Sequence, residues 1–347
     1  VQPINPLFPV SRAPRALLYS HKVQIPPHPP VNEGESMRTA ENQGTQTESA
    51  VAEVCDAIRA ADKIALIAHV TPDADCLGVI GALHLALPEL GKHTFAALPE
   101  GTVARRLAFL VELAGVQPAS SEELAACDLA LVCDTAKARR VNVDGTLEAL
   151  PDARVINIDH HATNTQFGAV NWVESDASST SELVYLLIKA LDCQITPTIA
   201  TLIYAGMHTD TQGFSLSNTT TRSLQVAGEL AGAGAEIIDT CERLNRSRSR
   251  SELELLKVVY SNTQVSADGR LAWSTVNHDE ITAAGCHAND IDDQVEIVRS
   301  IEGVKVAILF SEGNLGKVRM NFRGERGISV LELAKEFGGG GHHASAG

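Results

Sequence analysis

Three short segments, Lys63–His69 (KIALIAH), Leu129–Asp134 (LALVCD) and Arg154–Asp159 (RVINID), are apolar at nearly every position and close on a histidine or an aspartate. A strand that is apolar on both faces has to be covered on both faces. That is the habit of strands inside a parallel sheet and not of half-solvated antiparallel ones. Around them lie segments with the helical spacing of apolar residues, at Val51–Ala61, Cys76–Leu87, Ser181–Leu191 and Pro197–Met207. Strand and helix in alternation predict an α/β fold with a doubly wound parallel sheet. Ligands of such sheets collect outside the carboxyl ends of the strands. The residues that close these three strands are therefore the first candidates for function.

Those residues form a pattern. The first strand runs into His69-Val-Thr-Pro-Asp73-Ala-Asp75, the second into Asp134-Thr135 and the third into Asp159-His160-His161. A fourth acidic site, His208-Thr209-Asp210-Thr211, follows an apolar helix. Carboxylates gathered this closely repel one another, and bound cations are the usual means of holding them together. Aspartates mixed with imidazoles suit divalent manganese, iron or zinc, whereas calcium prefers oxygen alone. A single His or Asp at a strand end is usually a turn residue or a helix cap; four such sites in register are poorly explained that way.

A length of 347 residues suggests about two domains. Residues 1–49 read as a disordered tail, with prolines at 26, 27, 29 and 30 and the polar run 42–47; Met37 offers an alternative translation start. Residues 50–235 hold the strand-helix alternation. Residues 236–255 read as a linker, in which Arg243, Arg246, Arg248 and Arg250 are either simply solvated or help to hold an anionic ligand. Residues 256–347 form a smaller α/β unit with strands at Leu271–Val276, Val304–Phe310 and Lys317–Phe322 and a helix at Val330–Phe337.

Composition narrows the partners. There are 28 basic and 43 acidic side chains, for a net charge of −15. A basic surface for duplex DNA is excluded on that ground. Aromatic residues are only 4%, too few for a platform of many stacked bases. The seven cysteines contain no Cys-x-x-Cys pair; they read as reduced thiols of a cytoplasmic protein and not as a disulfide framework or a zinc ribbon. No apolar run approaches the roughly 18–20 residues that span a bilayer, so no membrane partner is expected.

At these motifs the sequence resembles the DHH phosphoesterase superfamily, and within it the bacterial oligoribonuclease/3′-phosphoadenosine-5′-phosphate phosphatase (NrnA-like) family. The resemblance covers about residues 50–347. It rests on Asp159-His160-His161, on Thr209-Asp210-Thr211-Gln212-Gly213-Phe214, on Asn164 to Glu182 and on Gly339-Gly340-Gly341-His342-His343-Ala344-Ser345-Ala346-Gly347. The last is similar to the GGGHxxAAG signature of the DHH-associated domain, so the smaller unit is expected to be that domain. The chain stops directly after this signature, where relatives continue for a strand and a helix; the expectation is a truncated second domain.

The resemblance implies two divalent ions, usually manganese. One is assigned to His69, Asp73 and Asp134, the other to Asp75, Asp134, His160 and Asp210. Such a pair shares a water, lowers its pKa and directs it at phosphorus. Asp159 is expected to orient a histidine ligand, and His161 to donate a hydrogen bond to the reacting phosphate. Arg323, Gly339, Gly340, Gly341 and His342 are the implied substrate contacts. An arginine fork suits phosphate oxygens, and glycine amides can cradle them. The implied activity is hydrolysis of short oligoribonucleotides by 3′–5′ exonuclease action and of 3′-phosphoadenosine-5′-phosphate. A cyclic-dinucleotide phosphodiesterase is the alternative enzyme, and a non-catalytic nucleotide sensor the alternative of another class. A homodimer is compatible with the resemblance. The net charge does not oppose nucleotide binding; it confines it to small ligands held in a cleft.

Overall fold

A computed structural model describes residues 49–99, 103–141, 155–245, 248–287, 290–291, 294–325 and 327–347. The tail at 1–49 (residue 49 excepted), Met37, Arg154, Arg246 and Arg326 lie outside the described residues. The first part of the fold runs α1 (residues 49–60), β1 (Lys63–Ile67), α2 (Ala74–Ala86), β2 (His93–Ala97), α3 (Ala108–Ala114), α4 (Ser121–Ala125) and β3 (Leu129–Cys133). It continues through β4 (Val155–Asp159), β5 (Val170–Val173), α5 (Thr180–Ala190), α6 (Pro197–Asp210) and α7 (Thr221–Gly232). The five strands form one parallel sheet in the order β2-β1-β3-β4-β5.

Burial explains why β1, β3 and β4 are apolar at nearly every position. Ile64, Leu66, Leu131 and Ile156 join a large core with side chains of α2, α5 and α6. Ala65, Ile67, Ala130, Val132 and Val155 face a smaller one with Cys127, Val141 and Phe167. The edge strands β2 and β5 are half exposed and mix polar with apolar residues; that is why the apolar-run criterion passes over them. Helices α2 and α6 cross in close contact. A Cβ on Gly78 would lie 2.4 Å from the Leu202 carbonyl oxygen, so only glycine admits this approach.

The second part comprises α8 (Ile237–Asn245), α9 (Arg250–Asn262), β6 (Gln264–Val265), β7 (Leu271–Val276), α10 (His278–Ala283) and α11 (Val295–Arg299). After these come β8 (Val306–Asn314), β9 (Lys317–Gly324), α12 (Leu331–Glu336) and β10 (Ser345–Ala346). Its sheet has the order β10-β9-β8-β7-β6, with β7 and β8 parallel and the other pairs antiparallel. The segment 236–255, read as a linker, is built largely of helix. Leu244 of α8 belongs to the large core and Leu255 of α9 to the core of the second sheet, so the change of core falls between two helices. Arg243 pairs with Asp239 one turn away at 2.6 Å on an exposed helix face. Among the described residues no helix is long and apolar enough to cross a membrane. All seven cysteines are free.

Candidate active site

The carboxyl ends of β1, β3 and β4 bring the predicted residues to one place. Past β1, His69 is buried, and Asp73 caps α2 by accepting the Cys76 backbone N–H at Oδ1, 3.0 Å away. Asp75, fully buried, sits in the first turn of that helix. The start of α5 takes hold of it. Thr180 N–H donates to Asp75 Oδ2 at 2.7 Å and Ser181 N–H to Oδ1 at 2.8 Å, an arrangement in which a helix N-terminus supports an anion. Burial and the Asp210 charge nevertheless push the Asp75 carboxyl up to about 7.

Asp134 follows β3 with φ 56°, a left-handed turn that few residues other than glycine and Asn/Asp adopt. Its N–H still donates to Ile158 O at 2.9 Å. The turn aims the side chain into the middle of the cluster. His69 Nε2 lies 3.5 Å from Asp134 Oδ2, His160 Nε2 lies 3.7 Å from Oδ1, and Thr180 Oγ1 donates to Oδ1 at 3.2 Å. Burial, then the neighbouring Asp73, Asp75 and Asp210, hold the Asp134 carboxyl well above the usual carboxylate range. His160 Nε2 is also 4.0 Å from Asp75 Oδ2 and 3.0 Å from Asp210 Oδ2. Asp210 is the last residue of α6.

The donor set fits a cation. His160 Nε2 is buried and has no hydrogen-bond partner of acceptable geometry. Its other nitrogen, Nδ1, lies 3.4 Å from Ala177 O; a proton held there leaves the Nε2 lone pair for a metal. At His69, Nδ1 lies 2.7 Å from Val70 O and 3.0 Å from Arg140 Nη2. Only the first partner leaves Nε2 free to ligate. Among the described residues, donor atoms converge within 4.8 Å in four overlapping groups. These are Asp75–Asp134–His160, His69–Cys76–Asp134, Asp134–Asp159–His161 and His160–His161–His342. Asp73 and Asp210 belong to none of them, and Cys76 replaces Asp73 beside His69 and Asp134.

Asp159 departs from its expected partner. Its Oδ1 lies 2.7 Å from His161 Nδ1, so it orients the histidine outside the implied ligand set, while a backbone carbonyl orients His160. Asn164 donates to Asp159 Oδ2 at 2.6 Å. Burial is outweighed by the His161 charge and hydrogen bond, and the Asp159 carboxyl is held below the usual range.

The second domain contributes His342. Its ring stacks on His161 with centroids 4.6 Å apart and lies 4.6 Å from that of His160. Burial and the neighbouring His160 and His161 push its pKa well down, so it faces the site as a neutral imidazole. The glycines serve packing more than anion binding. Gly339 N–H donates to Ala334 O at 2.9 Å and Gly340 N–H to Gly347 O at 3.0 Å. Those two amides are committed and cannot cradle a phosphate as they stand. Arg323 is likewise engaged, with Nε 2.6 Å from Glu296 Oε1.

Several participants escaped the sequence reading. Lys137, Arg139 and Arg140 follow Asp134-Thr135 closely and line the gap between the two domains. Lys137 Nζ is 3.4 Å from Gly339 O and Arg139 Nη2 is 3.2 Å from Gly338 O. Two cavities open there, of about 410 Å³ and about 160 Å³. The larger is lined by Lys137, Thr163, Asn164 and Lys335; the smaller by Arg139, Arg140, His161 and Gly341 among others. The available signal was three basic residues within four positions in the more acidic half of the chain. Arg222 of α7 binds buried Glu182 and also Glu174, the latter at 2.5 Å. Asn218 donates to Ser178 O at 2.8 Å and Asp210 O at 3.1 Å. Both tie down the segment that presents Thr180 and Ser181 to Asp75.

Comparison with known proteins agrees with this layout. Residues 63–207 match the model of the DHH family, N-terminal domain, and residues 269–347 that of the DHHA1 domain. The chain is 34% identical to the bifunctional oligoribonuclease and PAP phosphatase NrnA of Thermus thermophilus over 86% of either sequence. It is 30% identical to the Bacillus subtilis protein of the same name over 82% of this chain and 88% of that one. The crystal structure of an exopolyphosphatase-related protein from Bacteroides fragilis superposes with a TM-score of 0.75 at 25% identity, covering 86% of this chain and 90% of that one. The chain belongs to the DHH phosphoesterase family, with a DHHA1 domain following its DHH domain, and is a relative of the NrnA oligoribonuclease and PAP phosphatases.

Proposed function

We propose that this phosphoesterase hydrolyses short oligoribonucleotides from the 3′ end and 3′-phosphoadenosine-5′-phosphate, using two divalent cations in the cluster that shares Asp134. The observation that carries the reading is the orphaned His160 Nε2 facing Asp75, Asp134 and Asp210. The names of the curated relatives supply the substrate class. Divalent cations bound there would acidify a water and neutralise phosphate charge. Manganese is the expected ion for the half made of carboxylates and His160.

The remaining work falls to the chain itself. Asp159 accepts a hydrogen bond from His161 Nδ1 and fixes the plane of the ring; with both ring nitrogens protonated, Nε2–H would donate to a phosphate oxygen. Lys137, Arg139 and Arg140 give the cleft a positive wall, which confines anion binding to a small region of an acidic protein. His342 covers the histidine pair from the second domain and excludes bulk water from it. A reducing, cytoplasmic setting suits the seven free cysteines. The change of core between Leu244 and Leu255 supports a domain boundary inside the segment 236–255.

The test is turnover, with manganese, of a two-to-five-nucleotide RNA, of 3′-phosphoadenosine-5′-phosphate and of a cyclic dinucleotide, in wild type and Asp134→Ala. The expected result is hydrolysis of the first two substrates and loss of both in the variant. Preference for the cyclic dinucleotide would favour the alternative enzyme, and binding without turnover of any substrate would favour a sensor.

A further inference from the structure

Cys76 is isolated in the sequence, with no second cysteine or histidine at metal-ligand spacing around it. The fold removes that isolation. It occupies the first turn of α2, one residue after Asp75, and its backbone N–H is fixed by Asp73 Oδ1 at 3.0 Å. The side chain is fully buried. Its sulfur, a ring nitrogen of His69 and a carboxylate oxygen of Asp134 all lie within 4.8 Å of one another. His69 Nε2 and Asp134 Oδ2 are 3.5 Å apart, and Val70 O, 2.7 Å from His69 Nδ1, can hold the proton that frees Nε2. Across the shared carboxylate stands His160, whose buried Nε2 lies 3.0 Å from Asp210 Oδ2 without a hydrogen bond of acceptable geometry. Sulfur, nitrogen and oxygen donors thus face one point beside an unsatisfied ligand atom.

Donor softness then separates the two halves of the centre. The half with Asp75, Asp134 and His160 offers oxygen and imidazole, which suit manganese. A thiolate favours zinc, iron(II) or cobalt(II) over manganese. Resting on the reading of this cluster as a metal centre, we infer that Cys76 Sγ is a ligand of the cation held by His69 and Asp134, and that this half of the centre selects zinc, iron(II) or cobalt(II) over manganese. Binding replaces the S–H bond by an S–metal bond, releases the thiol proton to solvent and transfers no electrons.

Cobalt titration of the metal-free full-length protein tests this by absorption alone. Wild type should develop a thiolate-to-cobalt charge-transfer band in the near ultraviolet together with the visible ligand-field bands. Cys76→Ser should keep the visible bands and lose the near-ultraviolet one, and Cys133→Ala should keep both. In competition, the preference of this site for zinc over manganese should fall in Cys76→Ser by at least the roughly 10–100-fold that loss of an outer-shell partner costs. X-ray absorption of zinc-loaded wild type, which needs no variant to fold, should show a Zn–S distance of about 2.3 Å. Bound cobalt without the sulfur band, or a band that survives in Cys76→Ser, overturns the ligand assignment and leaves the metal centre standing. Failure of wild type to bind cobalt at all overturns both.

Discussion

Asp159 Oδ1 lies 2.7 Å from His161 Nδ1, and Asn164 donates to the other oxygen of the same carboxylate at 2.6 Å. The pair fixes the tautomer and the plane of a ring that lies 5.0 Å from the neighbouring His160 ring and against the His342 ring. Asp159→Asn keeps the shape but removes the negative charge and leaves a single acceptor oxygen for two donors, His161 Nδ1 and Asn164 Nδ2. Expected is a fall in kcat of about 10–100-fold with unchanged bound metal, read by steady-state kinetics and metal analysis. Unchanged kcat would remove His161 from the reaction.

Gly206 and Gly78 separate stability from chemistry on the same pair of helices. A Cβ on Gly206 would lie 2.1 Å from Ser181 Oγ and 2.6 Å from Asp75 Oδ1, whereas one on Gly78 meets the Leu202 carbonyl. Both alanine variants should lose about 1–3 kcal/mol of stability through overpacking. Only Gly206→Ala should also weaken metal binding, because it displaces a carboxylate of the centre. Calorimetry of metal titration distinguishes them.

Without cations the cluster should make stability fall as pH rises. Asp75 titrates at about 7 in the fold and Asp134 is raised as well, against about 4 for an unfolded aspartate. The folded state therefore binds more protons than the unfolded one between these values. The stabilisation is complete below about pH 4 and is lost as pH climbs through about 7. Asp159, lowered in the fold, acts only below about pH 4 and leaves this window alone. Melting of chelator-treated protein should move down by several degrees from pH 5 to pH 8, and saturating divalent cation should abolish the slope. A flat profile after chelation would argue against convergent carboxylates.

Lys137 and Arg139 should act on substrate capture. Replacing both by Ala removes two positive charges from the wall of the cleft and two contacts to the Gly338–Gly339 turn. Expected is a rise in KM of about tenfold or more, with a shallower dependence of KM on salt and a smaller change in kcat. An unaltered KM for a bisphosphorylated nucleotide would place the anion elsewhere.

Legibility from sequence followed local pattern. His69, Asp134 and His160 could be read because each ends a strand buried on both faces, and the parallel sheet puts such ends together. Asp75 was placed by its two-residue spacing from Asp73, although the hold that α5 has on it required the fold. The edge strands His93–Ala97 and Val170–Val173 were missed because half-exposed strands carry no unbroken apolar run. Cys76 has no Cys-x-x-Cys neighbour in the sequence, and its approach to His69 depends on where α2 begins and how it leans on the sheet. For the glycines at 339–341 the resemblance implies phosphate contacts, while tight backbone turns, invisible in the sequence, pair the amides of Gly339 and Gly340.

The grip of α5 on Asp75 has a consequence for how a negatively charged guest can be received. The exposed amides at the head of a helix are a natural berth for a phosphate, and α5 begins beside the reaction centre. Its first two N–H groups are already given to one of the protein's own carboxylates. A helix head suited to an anion thus holds the Asp75 carboxylate instead. A phosphoryl group entering this enclosure finds no vacant helix head there and has to be met from the opposite side, by side chains whose charge can be altered without disturbing the sheet.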